Sequence, residues 1–397
     1  MRRDGAALAV GATQPAGEPA VTMLESGGWG GIAHYSYNLC EALRELGYPV
    51  CLQTAAPYEL DALPRSFALH TFEPSSSYQE RWKAVRTTLD ATGAGLLHMQ
   101  STISARRDWL QLARLKRAGY RLVTTAHNVL PHDKAERDAF GMRWAFGRIY
   151  RMSDGIIAHG EQTRREIDEM FGIPGSRLVV IPHGDYSFAA GSGDRAEARQ
   201  QLNLGRDDLV LLAFGAMREY KGIPELIDAF AEIAEEIPAA RLLIVGKPIR
   251  VDADEYRRRI EEKGLAERIT LRAEYVPFSD IGRYFAACDV AVYPYRHIYQ
   301  SGALQLAYGA ARPVVATRVG ELATTVRDGW NGVLVPPADT AALASALRDM
   351  LSRGAEELEV MGQRSRRLAD EQHSWADAAA ATTDLYRRVT HSGDARA

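Results

Sequence analysis

The chain has 397 residues, 46% of them hydrophobic, which exceeds one ordinary core. Length alone fits roughly two to three domains, and two is the expectation. A formal net charge of −3 gives no global argument for a nucleic-acid partner. Cys40, Cys51 and Cys288 lie within or beside apolar segments, which points to buried thiols in a reducing compartment and not to a disulfide frame or a zinc site.

Residues 1–19 read as a flexible tail, because the short apolar run Ala6 to Ala12 follows Asp4 and makes a poor leader. No stretch approaches the roughly 20 apolar residues of a membrane span, so any membrane contact is expected to be peripheral. From Ala20 short apolar runs alternate with amphipathic helical patterns, the mark of a doubly wound parallel sheet. Strands are expected at 20–25, 49–54, 95–99, 121–126, 155–158 and 177–181, with helices at 32–46, 78–91, 108–118, 135–152 and 161–171. In the first helix Tyr35, Leu39, Ala42, Leu43 and Leu46 share one face, and Gly47 ends it.

The rhythm is lost from Tyr186 to Asp208, a Gly-, Ser- and charge-rich stretch expected to be the linker over 188–208. It then returns, with strands at 209–214, 241–245, 269–272, 290–293, 314–317 and 332–335 and helices at 224–237, 254–263, 279–287, 302–310 and 340–352. The domains are thus 20–187 and 209–371. A last amphipathic helix over 374–389, within a terminal segment 372–397, is expected to cross back to the first domain. The fold class is α/β, with two Rossmann-like doubly wound parallel-sheet domains facing across a cleft.

Two loops stand out chemically. Gly27 to Gly31 follows the first strand and precedes a helix, so its amides can approach a ligand, although a purely geometric turn explains the glycines equally well. Its spacing is not the dinucleotide fingerprint. Leu212 to Gly222 is richer. A buried strand ends at Phe214, Gly215 permits a tight exit, Arg218 and Lys221 sit at the strand's carboxyl end, and Ile223-Pro224 opens a helix. Open parallel sheets bind ligands at that edge, and two cations beside a helix amino terminus suit a diphosphate.

The ordered set Gly27 to Gly31, Thr125 to Asn128, Ser153 to Ala158, Val180 to Gly184, Gly215 to Gly222, Leu243 to Gly246, Cys288 to Pro294, Pro313 to Thr317 and Asp328 to Pro336 resembles the retaining, nucleotide-sugar-dependent glycosyltransferases of family four, which have the two-Rossmann GT-B fold. The similarity covers nearly the whole chain from about Val21. It implies Arg218 and Lys221 on the leaving diphosphate, His127 beside the donor sugar, Gly30 and Gly31 at the donor phosphates, and Tyr275 and Val276 around the base. It also sets Trp29, His34 and Tyr35 at the acceptor mouth. His127 also fits a purely structural histidine. His159 and His183 follow strands as well, and packing explains them better.

The chain departs from the family at one place. Relatives carry two glutamates with seven residues between them ahead of the strand at 314–317, and those positions here are Ile298 and Leu306. In their neighbourhood Gln300, Ser301, Gly302 and Ala303, with Leu306, begin a helix whose amides and neutral side chains can meet phosphate or sugar oxygens. Glu321 is the nearest carboxylate for the sugar hydroxyls, with a solvated loop glutamate as the equal alternative. No carboxylate pair has glycosidase spacing, so front-face transfer without a metal or other cofactor is expected, the donor being a UDP- or GDP-linked hexose and the acceptor a polysaccharide precursor, glycolipid or other glycan.

Between Arg106 and Arg151 arginines and lysines outnumber acids and interleave with Trp109 and Trp144. Such a face suits anionic lipid headgroups on the inner side of the cell membrane, and ordinary solvated helices suit it too. A sugar-nucleotide epimerase of the same fold and a non-catalytic sugar-nucleotide-binding partner subunit stay open as alternatives.

Overall fold

The computed structural model describes residues 20–130, 141–186, 193–298 and 301–391. The chain divides into two compact units, one formed by residues 1–183 with 375–397 and the other by 184–374. The segment read as a linker therefore falls in the second unit, where the helix Arg195–Gln201 packs on the helix Phe278–Ala287. There Arg199 donates to Asp289 at 2.9 Å and to the Ala287 carbonyl at 3.1 Å.

The first unit is a seven-stranded parallel sheet. Its strands are β1 (Val21–Leu24), β2 (Val50–Ala55), β3 (Ala68–Phe72), β4 (Leu96–Met99), β5 (Arg121–Ala126), β6 (Gly155–Ala158) and β7 (Leu178–Val180). They are ordered β3-β2-β1-β4-β5-β6-β7, with Val21 level with both Val50 and Leu96. Every residue of β1, β2, β4 and β6 is buried, as a parallel sheet covered on both faces requires.

The helix Gly31–Glu45 buries Tyr35, Leu39, Ala42 and Leu43 as its pattern predicts. Leu46 is different: it forms the C-cap and is 44% exposed, because Gly47 at φ 83° turns the chain away. The last helix, Trp375–His391, packs on Gly31–Glu45 and on β5 and β6. A side chain at Gly155 would place its Cβ 2.8 Å from Leu385 Cδ1, so glycine at the start of β6 lets this helix sit close.

The second unit has six parallel strands: β8 (Leu209–Phe214), β9 (Ala240–Val245), β10 (Ile269–Arg272), β11 (Val290–Tyr293), β12 (Val314–Thr317) and β13 (Gly332–Val335), ordered β10-β9-β8-β11-β12-β13. Its core joins Leu211, Phe230, Leu242, Val292, Val315 and Leu347, all almost fully buried. The three cysteines are free and buried, and burial pushes Cys51 and Cys288 up to about 12.

Candidate functional site

Each sheet reverses its strand order once, between β1 and β4 in the first unit and between β8 and β11 in the second. At such a switch point neighbouring loops diverge and leave a crevice at the carboxyl ends of the strands. In the second unit the crevice holds Lys221. Its Nζ donates to the Tyr295 hydroxyl at 2.6 Å and lies 4.1 Å from the centre of that ring, which bridges the loops after β8 and β11. Burial, and then the like charge of Arg218, depress the ammonium below its ordinary range, opposed by Tyr220. No carboxylate pairs with Lys221, and the Arg218 guanidinium makes no hydrogen bond or ion pair among the described residues.

The backbone holds these cations in place. Arg218 caps the short turn Glu219–Lys221, which ends at Gly222 with φ 67°. A Cβ at Gly222 would lie 1.9 Å from the Pro294 carbonyl oxygen, so only glycine lets the loops after β8 and β11 touch there. Gly215, at φ 117°, faces Lys221 and Ala303: a Cβ there would sit 3.6 Å from Lys221 Nζ and 3.8 Å from Ala303 Cβ.

Ser301 joins the same group. It caps the helix Gly302–Gly309 by accepting from the Leu304 amide at 3.3 Å, and its hydroxyl lies 3.5 Å from that of Tyr295. Gly302 packs on the Tyr186 ring, Leu306 is buried, and Gln300 lies outside the described residues. Tyr275, 40% exposed, and buried Val276 follow β10, two strands to one side of β8. Glu321 follows β12, two strands to the other side, and accepts from the Thr324 hydroxyl at 3.2 Å. At the usual strand spacing the strands they follow, β10 and β12, each lie about 10 Å from β8.

In the first unit the glycine loop is differently built from its expectation. Buried Glu25 accepts from the amides of Gly27 and Gly28, each at 2.8 Å, and from the Thr54 hydroxyl at 2.7 Å. Glu59 accepts from the Gly30 amide at 2.7 Å, and its other oxygen lies 3.1 Å from His34 Nε2. The Gly30 amide is thus engaged by a carboxylate and does not stand open to a phosphate, and His34 braces the loop. Beside Gly30 and Gly31 there is open space where a Cβ would be, and Trp29 is 48% exposed. Tyr35 was expected at an acceptor mouth. It is instead fully buried, meeting His127, His159, His183 and Trp375 edge-on at 4.8 to 5.2 Å between ring centres.

A cavity of about 170 Å³ opens at the ends of β4 and β5. Ser101, Thr102 and Asn128 give it neutral polar groups, Leu130 and Phe146 give it apolar ones, and His127 and Gln100 form part of its wall. Burial and the neighbouring imidazoles hold His127 well below the usual histidine range. Among the described residues no cluster of His, Cys, Asp and Glu is arranged to hold a metal ion.

Glu25 and Glu59 hold the glycine loop through its amides, and sequence reasoning missed both. A signal existed for Glu25: it is the one acid closing an otherwise apolar strand.

Two doubly wound parallel units in one chain, with a cationic crevice in the second, define the GT-B class of glycosyltransferase folds. HepE of Anabaena, solved in complex with UDP and glucose, superposes with a TM-score of 0.77 at 18% identity, covering 92% of this chain and 99% of that one. Sucrose-phosphate synthase of Thermosynechococcus elongatus gives 0.74 at 23% identity, covering 94% and 100%. The D-inositol 3-phosphate glycosyltransferase of Nocardia farcinica is 31% identical over 302 residues, 73% of this chain and 66% of that protein. Its namesake in Geodermatophilus obscurus is 32% identical over 214 residues, 52% and 47%. The chain thus spans less than two thirds of the length of these relatives. The family model for Glycosyltransferase Family 4 matches residues 29–184, and that for Glycosyl transferases group 1 matches 208–353. The chain belongs to glycosyltransferase family 4.

Proposed function

We propose that the protein is a retaining glycosyltransferase that moves a hexose from a nucleoside diphosphate sugar to a hydroxyl of a glycan precursor or glycolipid. The observation that carries this is the pair Arg218 and Lys221, two cations without a carboxylate partner among the described residues at the switch point of the second sheet. A half-buried ammonium with no opposite charge beside it among the described residues is costly, and a diphosphate offsets that cost. In the transition state the same two groups take up the charge that develops on the leaving group, so no divalent metal is required for that task.

Tyr275 and Val276 on one flank suit the base, Glu321 on the other suits sugar hydroxyls, and the first turn of Gly302–Gly309 supplies amides to oxygen atoms between them. With no carboxylate pair assigned to the sugar, the acceptor proton passes to a leaving-group oxygen on the same face, which retains configuration. The acceptor cavity is the one beside His127. Curated relatives are named for inositol 3-phosphate, whereas the described lining of this cavity carries hydroxyls, amides, imidazole and apolar groups, which fits an uncharged hydroxyl-bearing acceptor.

Nucleotide binding tests the reading directly. UDP, GDP and ADP are screened by thermal shift; at a hundredfold excess over Kd a ligand bound only by the folded state adds about 2.7 kcal/mol of apparent stability. One of the three is expected to raise the unfolding temperature of the full chain, and the Arg218→Ala/Lys221→Ala double variant to lose that response. No response to any of them would refute a nucleotide-sugar enzyme. Donor incubated without acceptor yields no epimer on this reading.

We further propose peripheral contact with anionic lipid on the cytoplasmic side of the membrane. Among the described residues no helix is long and apolar enough to cross a bilayer. The helices Ala105–Arg117 and Met142–Met152 pack side by side and expose Arg106, Arg107, Arg114, Arg117, Arg143, Arg148 and Arg151, while their one acid, Asp108, is buried. Between the arginines stand Leu110 at 45% and Trp144 at 53% exposure, and Arg148 stacks on Trp109 and Trp144 at 4.7 and 5.4 Å. Cations at headgroup level around apolar side chains fit a bilayer surface.

At about 1 kcal/mol per arginine, Arg114→Glu with Arg117→Glu is expected to weaken binding to phosphatidylcholine vesicles containing phosphatidylglycerol by a hundredfold or more. Trp144→Ala is expected to weaken it less. Cosedimentation that ignores phosphatidylglycerol, or that survives the charge reversal, would discard this contact.

A further inference from the structure

Behind the acceptor cavity a file of side chains runs from the last helix to the end of β7. The Tyr386 hydroxyl lies 2.6 Å from His98 Nδ1. His98 Nε2 is 2.8 Å from the Thr125 hydroxyl and 3.2 Å from the Gln100 amide. The Gln100 side chain lies with Oε1 3.0 Å from His127 Nε2 and Nε2 towards His98, His127 Nδ1 lies 3.2 Å from His159 Nε2, and His159 Nδ1 ends the file 3.0 Å from the Ile181 carbonyl.

Donors and acceptors along this file are not independent. A carbonyl only accepts, so His159 Nδ1 must carry hydrogen. Burial lowers His159 to about 4 and His98 to about 3, and among the described residues the titratable groups facing His127 are Tyr35, His98, His159 and His183, with no carboxylate. The rings are therefore neutral at pH 7, each with one N–H. His159 Nε2 is then an acceptor, which forces the hydrogen of His127 onto Nδ1 and leaves a lone pair at its Nε2.

The Gln100 oxygen and nitrogen, near-identical in shape, must therefore exchange places so that NH₂ meets that lone pair, because the network decides an amide's orientation. Its oxygen then faces His98 Nε2–H, which the nearer Thr125 hydroxyl also accepts, and His98 Nδ1 accepts from Tyr386. Every link is satisfied in one direction. The opposite orientation of Gln100 sets the His159 Nδ1 lone pair against the Ile181 carbonyl.

We propose that Gln100 and His159 are positioning residues for His127, holding it as the Nδ1-protonated tautomer whose Nε2 presents a lone pair. The inference rests on the proposed reaction at that cavity and deepens it. A ring held so accepts from a sugar hydroxyl that takes the place of the Gln100 amide, and offers no N–H to a phosphoryl oxygen. His127 thus reads a hydroxyl, and the diphosphate is left to Arg218 and Lys221.

The test uses the full chain labelled with ¹⁵N-histidine. Two-bond proton–nitrogen correlations distinguish the tautomers, and a His127→Gln variant assigns the signal. His127 is expected to show the Nδ1–H pattern, unchanged across about pH 6 to 8. An Nε2–H or imidazolium pattern overturns the proposal.

Gln100→Glu replaces the donor with a group that only accepts, so His127 must become charged or change tautomer. Transfer kcat is expected to fall at least about tenfold, with a smaller change in donor KM and an altered pH profile. An unchanged kcat and pH profile would leave Gln100 a packing residue only and also overturn the proposal. If the wild-type chain transfers to no acceptor, the proposed function fails while the tautomer result stands, so the two failures are distinguishable.

Discussion

Arg218→Ala and Lys221→Ala are each expected to reduce kcat/KM for glycosyl transfer by about 10² to 10³, the usual loss when one preorganised donor to developing negative charge is removed. Both side chains lie in the loop after β8, and among the described residues neither is tied up by a carboxylate, so their removal leaves no buried acid there unpaired. The folded state is therefore expected to survive, and Lys221→Ala also relieves the desolvation that depresses the ammonium. Arg218→Lys separates charge from shape. A lysine retains one cation and loses the two-pronged fork, so an intermediate loss is expected. Initial-rate kinetics with circular dichroism as the folding control decide the matter. Near-normal turnover in both alanine variants would remove the pair from the reaction.

The sheets of both units were legible because parallel strands buried on both faces are runs of Val, Ile, Leu and Ala bounded by turns, a pattern with few competitors. β3 was not legible for the complementary reason. It lies at the edge of its sheet, His70 and Thr71 face solvent, and only Phe72 is buried, so no apolar run marks it. The helix Ala355–Gln372 also escaped. Its buried stripe includes Gly362, Ser365 and Ala369, whose small side chains allow close packing and carry little hydrophobic signal; a Cβ at Gly362 would lie 2.0 Å from the Ala311 carbonyl oxygen.

Site residues followed the same division. Gly215, Lys221, Ser301 and Ala303 are brought together because each follows or begins an element at one sheet edge, and the alternation of elements predicts that edge. What alternation does not encode is which side chain satisfies which amide. The carboxylates on the glycine loop and the burial of Tyr35 among three imidazoles depend on contacts distant in sequence, Glu59 with Gly30 and Tyr35 with His127, His159 and His183.

Glu25→Ala is expected to be the most damaging single change in the first unit. The carboxylate takes hydrogen bonds from the Gly27 and Gly28 amides and from Thr54, and Gly28 sits at φ 76° with its α-carbon so close to β2 that a Cβ would lie 2.4 Å from the Ala55 carbonyl oxygen. Glu25 therefore ties the start of the loop to β2, while Glu59 holds its far end at Gly30. Hydrogen bonds to a charged group contribute about 1.5 to 3 kcal/mol each, but the freed loop amides regain water, so a net loss of about 3 kcal/mol is expected for three of them. Glu25→Gln keeps the shape and one acceptor oxygen while setting an NH₂ against a backbone amide, and about half that loss is expected. Hydrogen exchange over residues 21–35 reads the loop itself. Protection should drop sharply in Glu25→Ala, less in Glu25→Gln, and not at all in Arg218→Ala. Protection in Glu25→Ala equal to that of the parent chain would show that Glu59 and the backbone geometry suffice to hold the loop and that the Glu25 carboxylate is dispensable.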